Sequence, residues 1–220
     1  MTGEPHPLLT FFLDAADGRF PPVDGRVTVL PPLPAGLERS VAFTGHAVVA
    51  TALTCETVHE QEPDGFGASL SPDFLRHLAG PEGWIGVIDA TLTARGTGGS
   101  PRLRPLSGVD DRPRVRHALE LRSNVTAHGD ERGLITSADG LAGRRELSIE
   151  LHPSHDRSQG HGRSLLTDAL SLVPESEPVF AADSPGNARS LRALLVCGFT
   201  RVGSEVVLRP ERERPTAALR

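Results

Sequence analysis

The segment from Arg144 to Val173 constrains the fold more than any other part of the chain. Its first nine residues, RRELSIELH, alternate strictly. Leu147, Ile149 and Leu151 share one face, and Glu146, Ser148, Glu150 and His152 share the other. That period of two predicts a strand over 144–152 with one buried face and one face of carboxylates. Shortly after it stand Arg157, Gly160 and Gly162 in R-x-x-G-x-G spacing. A helix is expected over 163–173, where Leu165, Leu166, Ala169 and Leu170 fall on one face. The order strand, glycine turn, helix leaves backbone N–H groups at the positive end of a helix dipole, a seat for phosphate oxygens. Arg157 adds a fork of charged donors to the same seat.

The elements around this segment have the same mixed character. Downstream, a short strand is expected over 178–182, with Ser184 and Pro185 as helix cap and first-turn residue. A helix over 185–197 follows, with Ala188, Leu191, Leu194 and Leu195 on one face, then Gly198-Phe199 and a strand over 202–208. Upstream, helices are expected at 8–16, at 71–78 behind a Ser71 cap, and at 113–122 on Val115, Ala118 and Leu119. Strands are expected at 26–30, as a strand–turn–strand within 37–53, and at 84–93, 125–128 and 133–138. Residues 94–106, rich in Gly, Pro and Arg, are expected to be a mobile loop. The chain thus belongs to the α/β (α+β) class, and no internal repeat is visible.

Composition removes several chemistries. The 23 basic residues are all Arg, with no Lys and no Tyr in 220 residues, as expected of a GC-rich, bacterial type of genome. Without Lys there is no Walker-type phosphate loop and no Schiff-base or PLP chemistry. A net charge of −5 argues against a nucleic-acid partner. Cys55 and Cys197 lie far apart in no C-x-x-C spacing, which points to a reducing compartment. The apolar run near the N-terminus is too short and wrongly flanked for a signal peptide, and no stretch approaches a membrane span. A soluble cytoplasmic protein with no membrane partner is expected.

The R-x-x-G-x-G of Arg157–Gly162, followed by a strand and then PGNARSLRALLVCGF at 185–199, resembles the GNAT superfamily of acyl-CoA-dependent N-acetyltransferases. The resemblance covers roughly residues 112–208. It implies a mixed, mostly antiparallel sheet flanked by helices, with acetyl-CoA as co-substrate and a small-molecule or peptide amine as acceptor. It divides the chain into an N-terminal extension (1–80), a GNAT-like core (81–208) and a flexible tail (209–220). CoA is then expected on Leu151, Arg157, Ser158, Gln159, Gly160, His161, Gly162, Arg163, Asn187 and Ser190. A backbone N–H at Leu151 or His152 would hold the thioester oxygen. Glu150 ranks first as general base, directly or through water, followed by Glu146 and His152. Three departures stand out. One residue more than the common spacing separates Pro153 from Arg157. Only one strand follows Gly198-Phe199, so that a strand such as 26–30, or a second subunit in a homodimer, would complete the sheet. Leu194 occupies the position where many members carry the Tyr that protonates the CoA thiolate. Ser190, Cys197 or solvent are the remaining donors.

Other readings compete. A GNAT-shaped protein that binds acyl-CoA or a protein partner without catalysis would account for the missing Tyr. A dinucleotide site, suggested by Gly160, Gly162 and Asp183, lacks its third glycine, Leu165 standing there. His152, His155, Asp156 and His161 cluster without an established metal-ligand spacing, so no metal is expected. The acids Glu60, Glu62, Asp64, Asp110 and Asp111 form either a solvated surface or a field that attracts a cationic acceptor.

Overall fold

The computed structural model describes residues 5–153 and 160–212, and these form two compact units. One comprises the chain up to Arg19 together with Asp89–Val202; the other comprises Phe20–Ile88 and the chain from Gly203. These units do not coincide with a division at residues 80 and 81. The first helix belongs with the larger unit, and the last strand crosses from one unit to the other.

The larger unit holds α1 (Leu8–Ala16), β5 (Asp89–Arg95), β6 (Arg104–Pro105), α4 (Pro113–Leu121), β7 (Ser123–Asp130) and β8 (Gly133–Asp139). It continues with β9 (Arg145–Leu151), α5 (His161–Leu170), β10 (Pro178–Asp183) and α6 (Ala188–Val196). The strands lie in the order β5-β10-β9-β8-β7-β6. Neighbours are antiparallel except β9 and β10, which run parallel. The fold is therefore mixed α/β, with a mostly antiparallel sheet and flanking helices. The expected β9 alternation is present: Leu147 is buried with Ile135, Val179, Ala181 and Leu92 beneath Leu165, Leu166, Ala169 and Leu170 of α5. Each such leucine contributes about 1.5–3 kcal/mol on full burial.

On the opposite face α1 lays Phe12 edge-on to Phe180, ring centroids 5.7 Å apart. The Arg144 guanidinium stacks over Phe12 at 4.1 Å. At the other end of this face Val115 of α4 covers Ala127 and Leu134. This second layer was hidden in the sequence, because α1 lies about 170 residues before the strand whose Phe180 it covers.

The smaller unit holds β1 (Val27–Leu30), β2 (Glu38–Phe43), β3 (His46–Ala50), α2 (Cys55–His59), α3 (Pro72–Ala79), β4 (Trp84–Ile85) and most of β11 (Thr200–Arg209). β1 pairs parallel with β3, β3 antiparallel with β2, and β2 and β4 antiparallel with β11. Phe74, Leu75 and Leu78 of α3 pack on Val27, Ala47, Val49, Val206 and Leu208. Ser71 caps α3, accepting from the Phe74 N–H as its sequence predicts. His46 bridges the Asp24 carboxylate and the Thr28 hydroxyl, each at 2.9 Å, and so pins β1 to the start of β3.

Several expectations need correction. The partner that extends the sheet beside β11 is β2, not the 26–30 strand, which lies beyond β3. The single strand expected over 84–93 is two, β4 and β5, interrupted at 86–88. Residues 94–106 are tied down rather than mobile. The Gly96, Thr97 and Gly98 N–H groups donate to the Glu177, Leu170 and Val173 carbonyls at 2.8–3.0 Å, and Leu103 is buried in the core. The tail is docked at least to residue 212: Arg212 makes a bidentate pair with the buried Glu38 at 2.8 and 2.5 Å. Leu119 and Leu195, assigned to apolar helix faces, are 52% and 47% exposed.

Candidate functional site

The parallel strands β9 and β10 pair at one position only, Phe180 opposite Glu146. Beyond it, Ser148–Leu151 and Ala181–Asp183 form no ladder with each other among the described residues. Register on the other side of β9 decides which amides face this opening. The His152 N–H donates to the Arg132 carbonyl at 2.9 Å, and Gly133 lies opposite Leu151. In an antiparallel ladder hydrogen-bonded and non-hydrogen-bonded pairs alternate. Glu150 and Ser148 therefore bond toward β8, while the N–H groups of Ile149 and Leu151 point toward the gap. Of the two oxyanion donors expected from the sequence, His152 already donates to Arg132, and Leu151 retains the required direction.

Helix α5 begins against this gap. A Cβ added to Gly162 would lie 3.6 Å from Leu151 Cδ1, so the first turn runs close to the strand end. Gly160 holds φ +80°, a conformation that favours glycine at the entry to the helix. The Ser164 N–H is bonded to the Gly160 carbonyl at 3.0 Å, while Gly162 and Arg163 precede the first intrahelical acceptor available to them. No acidic residue stands in this turn. Arg157, Ser158 and Gln159, named for the same phosphate seat, lie outside the described residues, as do His155 and Asp156.

The carboxylates of β9 have partners the sequence did not reveal. Glu150 Oε1 meets an Arg112 guanidinium nitrogen at 2.5 Å, and Oε2 accepts the Arg114 N–H at 3.0 Å. Glu150 thus serves as a capping anion for α4, offsetting arginines that stand at the unfavourable end of that helix dipole. A carboxylate oxygen has a second lone pair, so the group retains accepting capacity. Glu146 is different. It is 3% exposed, with Oε2 bonded to Arg122 Nε at 2.5 Å and Oε1 to Arg144 Nε at 2.7 Å. As a buried ion-pair centre enclosed by two guanidinium groups, it is a structural residue and not the second base expected from alternation. His152 is exposed on the loop after β9. Between the two glutamates, the Ser148 and Thr136 hydroxyls bond to each other.

The sequence analysis weighed Asp183, the last residue of β10, only for a dinucleotide site and not for its burial. It is 6% exposed, and its Oδ2 is buried with no hydrogen-bond partner among the described residues. Burial pushes the Asp183 carboxyl above the usual carboxylate range; a hydrogen bond with the Ser190 side chain and the nearby charge of Arg114 act in the opposite direction. The signal was present in the strand period: Val179, Ala181 and Asp183 share a face, and the first two lie in the core.

Helix α6 starts at Ala188, not at Pro185. The Asn187 N–H bonds to the Ser184 carbonyl at 2.8 Å, closing a Pro-Gly turn, and Asn187 Oδ1 accepts the Ser190 N–H at 3.3 Å. Asn187 is thus the helix cap, holding the Ser190 N–H in the first turn. Leu194 is buried in the core beside Phe199. Cys197 Sγ is 3.4 Å from the Arg163 carbonyl.

Asp64, one of the surface acids, accepts the Phe66 and Ala68 N–H groups at 2.9 Å each and organises its own turn. Among the described residues no three His, Cys, Asp or Glu side chains are grouped to hold a metal ion. Among them, too, no helix is long and apolar enough to cross a membrane.

No protein-family model and no curated protein matches the chain. Solved structures with a related layout include a conserved protein of unknown function from Staphylococcus epidermidis, at 13% identity and TM-score 0.40, covering 65% of this chain and 68% of that one. A GCN5-related N-acetyltransferase from Kribbella flavida aligns at 11% identity and TM-score 0.37, covering 59% and 60% of the two chains. A GNAT-family acetyltransferase from Colwellia psychrerythraea aligns at 12% and 0.35, covering 58% and 57%. None of these likenesses is close enough to place the chain in a family.

Proposed function

We propose that the protein is an acyl-CoA-dependent N-acyltransferase that transfers an acetyl group from acetyl-CoA to an amine. One observation carries the reading: β9 and β10 part after a single paired position, with the Leu151 and Ile149 amides directed into the gap and the first turn of α5 beside it. Such an opening suits an extended thioester, with its phosphates on a helix N-terminus and its carbonyl on a strand amide.

In this reading the Gly162 and Arg163 amides, helped by Arg157, hold the pyrophosphate. Leu151 N–H stabilises the oxyanion that develops when a neutral amine attacks the thioester. Glu150 takes the amine proton through a water, using the lone pairs left by Arg112 and the Arg114 amide. The acceptor is a small-molecule or peptide amine.

A second reading, acyl-CoA binding without transfer, is favoured by one feature: Leu194 is a packed core side chain, so no phenol is available to the leaving sulfur. Calorimetric titration with acetyl-CoA, followed by thiol-release assays across an amine panel, tests both. Binding with turnover supports transfer, and binding without turnover supports the second reading. No binding of either acetyl-CoA or CoA would sink the two together.

A further inference from the structure

We propose that Thr28, His46 and Asp24 form a second catalytic site, in which Thr28 is the nucleophile that cleaves small carboxylic esters. The site lies within the smaller unit, uses none of the residues assigned to acyl-CoA, and stands independently of the acyltransferase reading.

Three features carry it. The first is the order of the hydrogen bonds: His46 Nδ1 meets Asp24 Oδ1 at 2.9 Å, and His46 Nε2 meets Thr28 Oγ1 at 2.9 Å. A carboxylate only accepts, so Nδ1 carries the ring proton of neutral His46 and Nε2 is left to accept the Thr28 O–H. That is the arrangement a general base needs beside a nucleophile, with Asp24 as the positioning residue behind the ring. The Arg26 N–H, at 2.9 Å, and His46 hold the Asp24 carboxyl below the usual carboxylate range.

The second feature is the open edge of β1, which pairs only with β3 among the described residues. The Ala47 and Thr51 N–H groups donate to the Arg26 and Leu30 carbonyls at 3.0 Å each. In this parallel ladder Thr28 and Leu30 therefore bond toward β3, and the Val27 and Val29 N–H groups point out of the edge. Val29 follows the nucleophile directly, so its N–H is the donor at hand for an oxyanion formed on Thr28 Oγ1. Thr28 itself is partly exposed. The third feature is apolar. Val23 and Phe66 are 66% and 69% exposed. Both stand over Gly45, the residue before His46: a methyl placed there would collide with Val23 and lie 3.2 Å from Phe66. Such a wall beside a polar triad suits a short acyl chain.

The reaction balances with water alone. Thr28 Oγ1 bonds to the ester carbonyl carbon as its proton passes to His46 Nε2. The C–O bond to the leaving alcohol breaks, and the alcohol takes that proton. Water, deprotonated by His46, then attacks the acyl-threonine. The acid departs and Thr28 regains its proton.

The test uses para-nitrophenyl acetate with wild type, Thr28→Val, Thr28→Ser and His46→Gln, each checked for folding by circular dichroism. Nitrophenolate release is followed, and the acetylated residue is located by peptide mass. Trypsin yields residues 27–39, in which Thr28 is the sole hydroxyl and no Lys, Cys or His is present. Expected is an acetyl group on this peptide in wild type and Thr28→Ser, none in Thr28→Val, and acylation slower by about 10²-fold or more in His46→Gln. Thr28→Val is nearly isosteric, and should it fail to fold, the wild-type adduct decides alone. Absence of acetyl on residues 27–39 in wild type, or release as fast in folded Thr28→Val, overturns the site. An adduct formed at the wild-type rate in folded His46→Gln overturns the triad.

Discussion

Replacing Glu146 by leucine separates a structural carboxylate from a catalytic one. Glu146 is 3% exposed and bonds two guanidinium groups, Arg144 at 2.7 Å and Arg122 at 2.5 Å. Arg144 is the larger liability, because its side chain is fully buried. Glu146→Leu leaves that cation without this carboxylate, and breaking one side of a buried pair costs about 3–5 kcal/mol. The Arg144 stack on Phe12 survives the substitution and retains up to about 2 kcal/mol of attraction for the cation. It is present in both proteins, so it does not reduce the difference between them. At about 2–4 °C per kcal/mol for a chain of this size, the melting temperature should fall by roughly 6–20 °C.

The compensating variant is Arg144→Met with Glu146→Leu. It removes the buried charge with its partner and leaves apolar volume against Phe12 and Phe180, so it should recover most of the loss. Urea and thermal unfolding followed by circular dichroism measure both. A single variant within about 1 kcal/mol of wild type would refute the ion-pair reasoning. So would Glu146→Gln that melts like wild type yet loses turnover, since that result belongs to a base.

Glu150→Gln keeps an oxygen for the Arg114 amide and should cost at most about 1 kcal/mol, the group being partly solvated. If Glu150 is the base, thiol release should nevertheless fall by about 10²-fold or more, and an unchanged rate at matched substrate dismisses it. Gly133→Ala tests the gap from behind. The added methyl would lie 2.2 Å from the Glu150 carbonyl at φ +152°, so β9 must shift at Leu151. A loss of about 1–3 kcal/mol is expected, together with weaker acetyl-CoA binding in calorimetry, and wild-type values for both would contradict the assigned register. Asp183 carries a pH signature. Its folded-state pKa is raised by burial, so the native state holds a proton that the unfolded chain has already lost. The contribution to stability is full below the ordinary Asp value and is lost as pH rises through the folded one. Urea midpoints of wild type should decline across that window relative to Asp183→Asn, and parallel midpoints would show that no such proton is held.

The elements that were legible in the sequence are those with local signals. Strict alternation identified β9, and leucine spacing with a glycine entry identified α5. Ser71-Pro72 marked the start of α3. What was not legible depends on partners distant in the chain. Residues 94–106 look like a mobile loop until the Leu170, Val173 and Glu177 carbonyls that hold them are in place. The smaller unit's sheet takes its fourth strand from residues about 160 positions away, which no window of sequence connects. Helix α6 was started three residues early, because Ser184-Pro185 has the chemistry of a cap while the following glycine closes a turn instead.

The same limit explains the misreading of the carboxylate face. Alternation along β9 placed Glu146 and Glu150 on one side, and the carboxylates do share it, but a strand period carries no information about the layer above. The two glutamates, four residues apart, receive different partners there. Glu146 lies under Arg144 and Arg122 and is buried, whereas Glu150 meets the N-terminus of α4 and stays partly open. A hint lay in the helix itself. Arg112 and Arg114 stand at a helix N-terminus, where cations are unfavourable, and such a placement calls for an anion from elsewhere in the chain. The converse holds at β10. Period two put Asp183 on the core face, where an unpaired carboxylate is costly enough to shift its protonation instead. An acid found on the apolar side of a strand is thus the more informative signal, because burial must change its chemistry, whereas acids on the polar side need only find an arginine.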